Sequence, residues 1–464
     1  MPSPDVLRPA PMSRIAVLAP PEDLRAALVE VADNGVVQLD AEADVENDAT
    51  AALRSMAERA TTAARVTRTP VDAAVLARGG RRDLLQGEVD IARHAAPAVT
   101  EDGLSALLGW MPAAGVQKLG ERLLDGGAAL VELPHPRWQE PPTLLPSGPV
   151  SDQLRPLVDL YGAVPYADVN PAPFAAVTFV LMFGMMFADA GHGLILVAAG
   201  MWARLSRQPR APSLRRVWLY LVACGLTASV VGAAFGEFFG PTHVIPVLWL
   251  APLEQPLRVI AVAVGIGAAL LAASYVLGTV NRFREAGMVA AITSGSGVAG
   301  FTLFAGATVA AGGLVWSSTA LLWLGVGAAV AGLFLLVIGL YAETQPGAGA
   351  LPEVAVGAFD AVLRVGSNVI SFTRLAAFGL VHAAIGALVW QQTEALWGHG
   401  FAADLGAVLV FLLGNVIAFA LEGLVVGVQA LRLEYYELFS RVFAGQGRRF
   451  TPWHLPAVSE ELPT

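Results

Sequence analysis

Between residues 172 and 441 the chain consists of apolar runs long enough to cross a lipid bilayer, and this limits its fold more than any other feature. The runs cover about 172–206, 215–239, 257–280, 288–314, 318–341, 357–392 and 401–441. Each exceeds the ~20 residues that a helix needs to span the hydrocarbon. Backbone polar groups at that depth must be satisfied within the chain, so the runs are expected to be helices. Charge follows the same division. Of the 38 acidic and 29 basic side chains, 24 and 15 lie in residues 1–173, so the net charge of −9 belongs to the first third. The expected fold is mainly α: a small α+β head with a short helical hairpin, then a polytopic membrane domain of about eight spans, the last two long and tilted. The expected boundaries are a leader at 1–11, the head and helical arm at 12–150, a linker at 151–171, the membrane domain at 172–442 and a tail at 443–464.

This composition excludes several classes. Only 14% of residues are charged, against roughly 25% in a typical globular protein, which argues against a soluble enzyme. One cysteine, Cys224, cannot form an internal disulfide, so a secreted disulfide scaffold is out. Lys118 is the only lysine, and without a polybasic patch no nucleic-acid partner is expected.

The head reads as a strand at Arg14–Ala19, a helix at Glu22–Asn34 and a strand at Val36–Leu39. Residues 42–95 read as two helices broken at Pro70 and Gly79-Gly80. A strand at Leu104–Met111, a helix at Val116–Asp125 and a strand at Ala128–Leu133 complete it. The head holds no phosphate-binding glycine loop, no Cys/His metal spacing and no nucleophile–base pair, so no cofactor and no metal are expected. His135 stands alone beside a proline and is read as a surface residue. The opening residues are Pro-rich and polar, unlike a signal peptide.

Seven runs, with the arginines marking the cytoplasmic side, would leave the head outside the cell, whereas a domain without a signal peptide belongs in the cytoplasm. Arg204, Arg207, Arg210, Arg215 and Arg216 follow the first run, Arg282 and Arg284 recur later, and Arg441, Arg448 and Arg449 close the series. Such clusters mark the cytoplasmic side. The conflict is resolved if the first run, interrupted by Asp189-Ala190-Gly191-His192-Gly193, folds as a hairpin of two short spans. Eight spans then put the head and the C-terminus in the cytoplasm. The other reading of this run is one long tilted helix with Asp189 and His192 bonded to its neighbours.

Ionisable side chains gather in the last two runs, where each costs roughly 2.5–3.5 kcal/mol to insert at the bilayer centre. Asp360, Ser367 and Arg374 recur every seven residues on one stripe, drifting by ~20° per step. His382 lies two turns beyond. In the last run Glu422, Gln429 and Arg432 share a face about 80° wide. Arginine holds a carboxylate charged yet does not release its own proton. Two arginines with carboxylates and a histidine strung above and below therefore suggest an ion path with a barrier in it. Permanent internal ion pairing is the plainer alternative.

The motifs resemble those of the a subunit, or subunit I, of V/A-type rotary ATPases. The likeness rests on Met12–Asp40, GWMP at 109–112, QEPPTLL at 139–145, Tyr161-Gly162 and Pro165-Tyr166, FGMMFADAGHG at 183–193, SFTRLAAFGLVHA at 371–383, and EGLVVGVQALRLEYYELFSRVFAGQGRRFTP at 422–452. It implies a non-catalytic stator in a prokaryotic-type plasma membrane, working against a proteolipid c-ring, with peripheral-stalk and central-rotor-associated subunits as further partners. It assigns Arg374 and Arg432 to the ring carboxylate, with Gln429 beside them. By the same resemblance Glu422 and His382 line an outer half-channel, and Asp360 and Ser367 a cytoplasmic one. Three features depart from the family. The soluble arm is about half the expected length, Asn170-Pro171-Ala172 replaces Asp-Pro-Thr, and Glu237 matches no family role: it is read as a helix-end residue in contact with water, with a vestibule carboxylate near the outer surface as the alternative. The rival is a secondary transporter with a cytoplasmic regulatory domain, which would require internal repeats and broken helices at the midplane. A purely structural membrane anchor would leave the buried arginines unexplained.

Overall fold

The computed structural model describes residues 8–40, 64–134, 139–146, 148, 151–206, 215, 217–344, 349–443 and 447–458. Two compact units result, one of residues 8–146, 163–166 and 447–464, the other of residues 1–7, 147–162 and 167–446.

The first unit is built on an antiparallel sheet. Strand β1 (Met12–Ala19) lies between β5 (Leu104–Pro112) and β6 (Ala129–Leu133), with β2 (Gln38–Leu39) and β4 (Val99–Glu101) both on β5. Ile15, Val17 and Ala19 alternate inward along β1 and are buried, as the period of two requires. Helix α1 (Leu24–Asn34) buries Ala27, Leu28, Val31 and Ala32 on one stripe and ends at Gly35 in the left-handed conformation, the usual way of closing a helix. The four expected strands and both flanking helices are thus present, β2 and α1 slightly shorter than expected. Strand β4 was not expected, although the Asp102-Gly103 pair between β4 and β5, both at positive φ, is a strong hairpin signal.

Of the expected helical arm, residues 41–63 lie outside the described residues, as does His135. Its remainder forms α2 (Ala73–Arg78), capped by the Asp72 carboxylate, and α3 (Arg82–Ala95). The break falls at Gly79-Gly80 as expected. Helix α3 approaches β3 (Val66–Thr67) so closely that a Cβ at Gly87 would lie 1.9 Å from the Arg65 carbonyl oxygen. Residues 447–458, expected as a tail, fold into this unit. Strand β7 (Ala457–Val458) pairs with β3 in parallel, Leu455 is buried, and Trp453 stacks on His94 with ring centroids 4.0 Å apart.

In the second unit, α5 (Ser151–Tyr161, following α4 at Val116–Asp125) precedes a set of apolar helices. These are α6 (Ala172–Met186), α7 (Ala190–Leu205), α8 (Trp218–Phe235), α9 (Pro256–Thr293, bent at Gly287), α10 (Val298–Val315), α11 (Thr319–Glu343), α12 (Ala350–Leu396) and α13 (Phe401–Leu433). The six from α8 onward are long and apolar enough to cross a membrane; α6 and α7, with 15 and 16 residues, are shorter apolar helices, ~22–24 Å each. The unit is that of an integral membrane protein. Small residues let its backbones touch. A Cβ at Gly306, Gly325 or Gly332 would meet main-chain atoms of the facing helix at 2.3–2.4 Å, which zips α10 to α11. This is the packing expected where lipid gives helices no hydrophobic reason to associate.

The interrupted run reverses direction. Along α6, Phe179 meets Tyr220 and Gly184 meets Thr227, so α6 and α8 run the same way. Along α7, Gly193 meets Ser229 and Gly225, and Gly200 meets Val222, so α7 and α8 run oppositely. The two arms form an antiparallel pair, with α8 packed along both.

Burial in the first unit pushes His94 below its ordinary imidazole value. A depressed histidine contributes stability that is present above about pH 6.5 and is lost as pH falls through the lowered value. Hydrogen exchange of the Trp453–Val458 segment in the full chain, corrected for intrinsic rates, is therefore expected to be faster at pH 5.5 than at pH 7.5. His94→Phe should remove most of that difference.

Candidate functional site

The site is organised by the break between α6 and α7. Asp189 caps α7, is fully buried, and accepts three main-chain hydrogen bonds. Its Oδ1 takes the N–H groups of His192 (2.9 Å) and Phe239 (3.1 Å), and Oδ2 takes that of Gly240 (2.8 Å). Phe239 and Gly240 both have positive φ, which turns successive N–H groups toward the carboxylate. The Ala190 N–H donates to the Glu237 carbonyl at 3.0 Å, and a Cβ at Gly232 would strike Asp189 Cα at 2.6 Å. Charge-assisted bonds of this kind stabilise a carboxylate that burial would otherwise exclude.

Against this anchor stand two histidines. His382 on α12, 4% exposed, is hydrogen-bonded through Nδ1 to Glu422 Oε2 on α13, and its Nε2 lies 3.9 Å from Asp189 Oδ2. His192 places Nδ1 3.8 Å from Asp189 Oδ1 and packs its ring against Phe187, Phe239, Phe419 and His382. Neither of its ring nitrogens has a hydrogen-bond partner among the described residues.

Helices α12 and α13 are antiparallel in one continuous register. Val389 meets Gly414, His382 meets Glu422, and the Asn368 amide donates to Glu437 while accepting from Arg441. That register sets Arg374 opposite Ala430, flanked by Gln429 and Arg432, and the charge of Arg432 bears on Arg374. From Arg374 to His382 is ~12 Å along the axis, and from Glu422 to Arg432 ~15 Å. The arginines thus occupy a level between two polar clusters, Asn368–Glu437–Arg441 on one side and Glu422–His382–Asp189–His192 on the other. Arg374 is half-buried, Arg432 is exposed, and among the described residues neither guanidinium is hydrogen-bonded or ion-paired. Gln429 is half-buried with an unpartnered Oε1.

Permanent ion pairing of Arg374 or Arg432 with Glu422 or Asp360, the plainer alternative from sequence, is not found. Asp360 pairs instead with Arg364 (2.7 Å) and is exposed; Ser367 is exposed as well, and neither joins the polar ladder. The next residue, Asn368, holds that place. Glu237 is buried, contrary to the water-exposed helix end expected, and lines a cavity of about 210 Å³ with His243 and Glu254. From sequence, Asp189 and His192 read as a helix break or as residues bonded to neighbouring helices, not as part of the site. Their polar run within an apolar stretch was the available signal, but the partners are on α12 and α13, some 200 residues away.

Residues 99–216 match the family described as the V-type ATPase 116kDa subunit family. Similar proteins include A-type ATP synthase subunit I of Pyrococcus horikoshii, 26% identical over 403 residues covering 82% of this chain and 58% of the relative. Those of Aeropyrum pernix and Halobacterium salinarum are 29% and 28% identical, covering 74% and 66% of this chain and 56% and 50% of their own lengths. The chain therefore spans little more than half the length of the curated relatives it matches. The recognition of the motifs as those of V/A-type ATPase subunit I is borne out.

Removing the Asp189 carboxylate would orphan three buried donors, each costing about 1–3 kcal/mol. Asp189→Ala is expected to lower the unfolding midpoint of the full chain in detergent sharply. Asp189→Asn, which keeps an Oδ1 for His192 and Phe239, should lower it by less than half as much.

Proposed function

Since this chain is a relative of the V-type ATPase 116kDa subunit family and of subunit I of A-type ATP synthases, we propose that it is the membrane stator of a V/A-type rotary ATPase. In this reading it forms two proton half-channels against a proteolipid c-ring and holds no nucleotide site of its own. Peripheral-stalk and central-rotor-associated subunits complete its partners, and the head and C-terminus face the cytoplasm of a prokaryotic-type cell. The observation that carries the reading is Arg432. It is an exposed guanidinium without an acidic partner, on a helix whose neighbouring Leu421, Leu424 and Val428 are also exposed. A charge in such a place needs a counter-charge from outside the chain, and a carboxylate carried past it by a ring of helices supplies one.

A carboxylate that travels through hydrocarbon must be protonated, because the ionised form is too costly to desolvate. On reaching the stator it meets the fields of Arg432 and Arg374, which favour the charged form. The proton leaves through one half-channel, and a new one arrives through the other after the carboxylate has passed. Glu422 and His382 line the outer half-channel. Asp360 and Ser367 line the mouth of the cytoplasmic one, with Asn368 and Glu437 deeper in. The arginines keep the half-channels apart, since neither gives up its proton. Each proton moved releases or consumes ~2.3 kcal/mol per 100 mV.

In inverted vesicles containing the assembled complex, Arg432→Ala is expected to reduce ATP-driven acidification to background while the ATPase subunits remain bound. Arg432→Lys should fail nearly as completely, because a lysine desolvated against the ring can shed its proton. Acidification at the wild-type rate by either variant would overturn the proposal.

A further inference from the structure

The cluster at the helix break has the composition of a metal site. Asp189, His192 and His382 are all buried, and each offers one ligand atom within 4.8 Å of the others. Their environment goes beyond chance proximity in three respects. Asp189 is held in one orientation by three main-chain N–H groups, which leaves lone pairs of Oδ2 free toward His382. His382 gives Nδ1 to the Glu422 carboxylate, so its Nε2 is turned toward the cluster. A carboxylate behind a histidine is the usual outer support of a metal-binding imidazole. Most telling is His192. It is 2% exposed, and both ring nitrogens are buried without a partner. Asn415 lies beside it and already donates to the Phe411 carbonyl (2.9 Å), and a contact from that amide to the imidazole would serve one ring nitrogen and leave the other unpartnered. A buried polar group left without a bond is costly, and a cation or its bound water would remove that cost.

From these residues we propose that Asp189, His192 and His382 bind a zinc-like divalent cation. Two imidazoles and one carboxylate favour zinc, cobalt or nickel over magnesium or calcium, which prefer all-oxygen shells. Three protein ligands with Zn–N and Zn–O distances near ~2.0–2.2 Å leave one position of a tetrahedron open. The ligand atoms must draw together by about an ångström to reach that geometry, a movement that rotation of the two rings supplies. Occupation would engage His382 Nε2 and block proton transfer through the outer half-channel. That consequence rests on the stator reading above, whereas the binding itself does not.

Binding is tested by titrating the purified, tag-free full chain with Co²⁺ and following the visible d–d absorption of tetrahedral cobalt. The expected result is one saturable site whose band zinc abolishes and His243→Gln retains. His192→Gln should weaken binding more than about tenfold. Because that variant could misfold, His192→Cys is measured beside it and should add a thiolate-to-cobalt charge-transfer band. Absence of a d–d band in the wild-type chain would overturn the proposal, as would a band unaltered in both His192 variants. In vesicles, zinc delivered by an ionophore should inhibit acidification reversibly on chelation, and His192→Gln should shift the inhibiting concentration at least tenfold. Since cobalt binding is read without any pumping, failure of the metal site and failure of the stator reading are separately visible.

Discussion

The buried carboxylate of Asp189 is the contact on which the arrangement of the second unit depends. A helix reversing inside an apolar environment exposes N–H groups that no water can satisfy, and an unpaired group there costs several kcal/mol. Asp189 takes one such group from the start of α7 and two more from the 239–240 turn. One side chain thereby fixes the reversal between α6 and α7, closes the turn after α8, and presents a negative charge to His382. The glycines around it follow from the same requirement, since Gly191 and Gly232 lie where any Cβ would collide with Phe239 or with Asp189 itself.

From that anchor the register of α12 and α13 distributes charge along the helix axes. Carboxylate and imidazole are paired at the level of His382 and Glu422, the Asn368 amide bridges the Glu437 carboxylate and the Arg441 guanidinium at the other level, and two arginines lie between. Two like charges at one depth repel each other, and the visiting carboxylate of the proposed function would relieve that repulsion. The exposed apolar side chains around Arg432 are consistent with a helical partner as well as with lipid, and they keep the dielectric low where that visit would occur. In a low dielectric the attraction between guanidinium and carboxylate is far stronger than in water.

Much of this was legible in the sequence because it follows local rules. The apolar runs gave the helices, the seven-residue spacing placed Asp360, Ser367 and Arg374 on one stripe, and the polar break in the first run marked the reversal. What escaped was interhelical. A stripe on an isolated helix does not say which edge of it faces a neighbour, so Ser367 was chosen where Asn368 makes the contact. His192 and Asp189 meet His382 across nearly the whole membrane region, and the pairing of β3 with β7 joins residues some 390 positions apart. Glu237 was expected in water because it follows a helix end, yet the turn that satisfies Asp189 draws it inside. The Asp102-Gly103 turn, by contrast, is legible from its two residues alone.

The central claim is that the Arg432 face of α13 lies against a ring of helices carrying a carboxylate. Val428 is one turn before Arg432 and 54% exposed, and Ile338, 44% exposed, lies on α11 and not on α13. With Cys224 replaced by serine, Val428→Cys and Ile338→Cys give single-cysteine chains for disulfide trapping against a cysteine beside the proteolipid carboxylate. The account predicts a cross-link to Val428→Cys that depends on assembly and none to Ile338→Cys. Equal trapping at both positions, or trapping at Ile338→Cys alone, would contradict it.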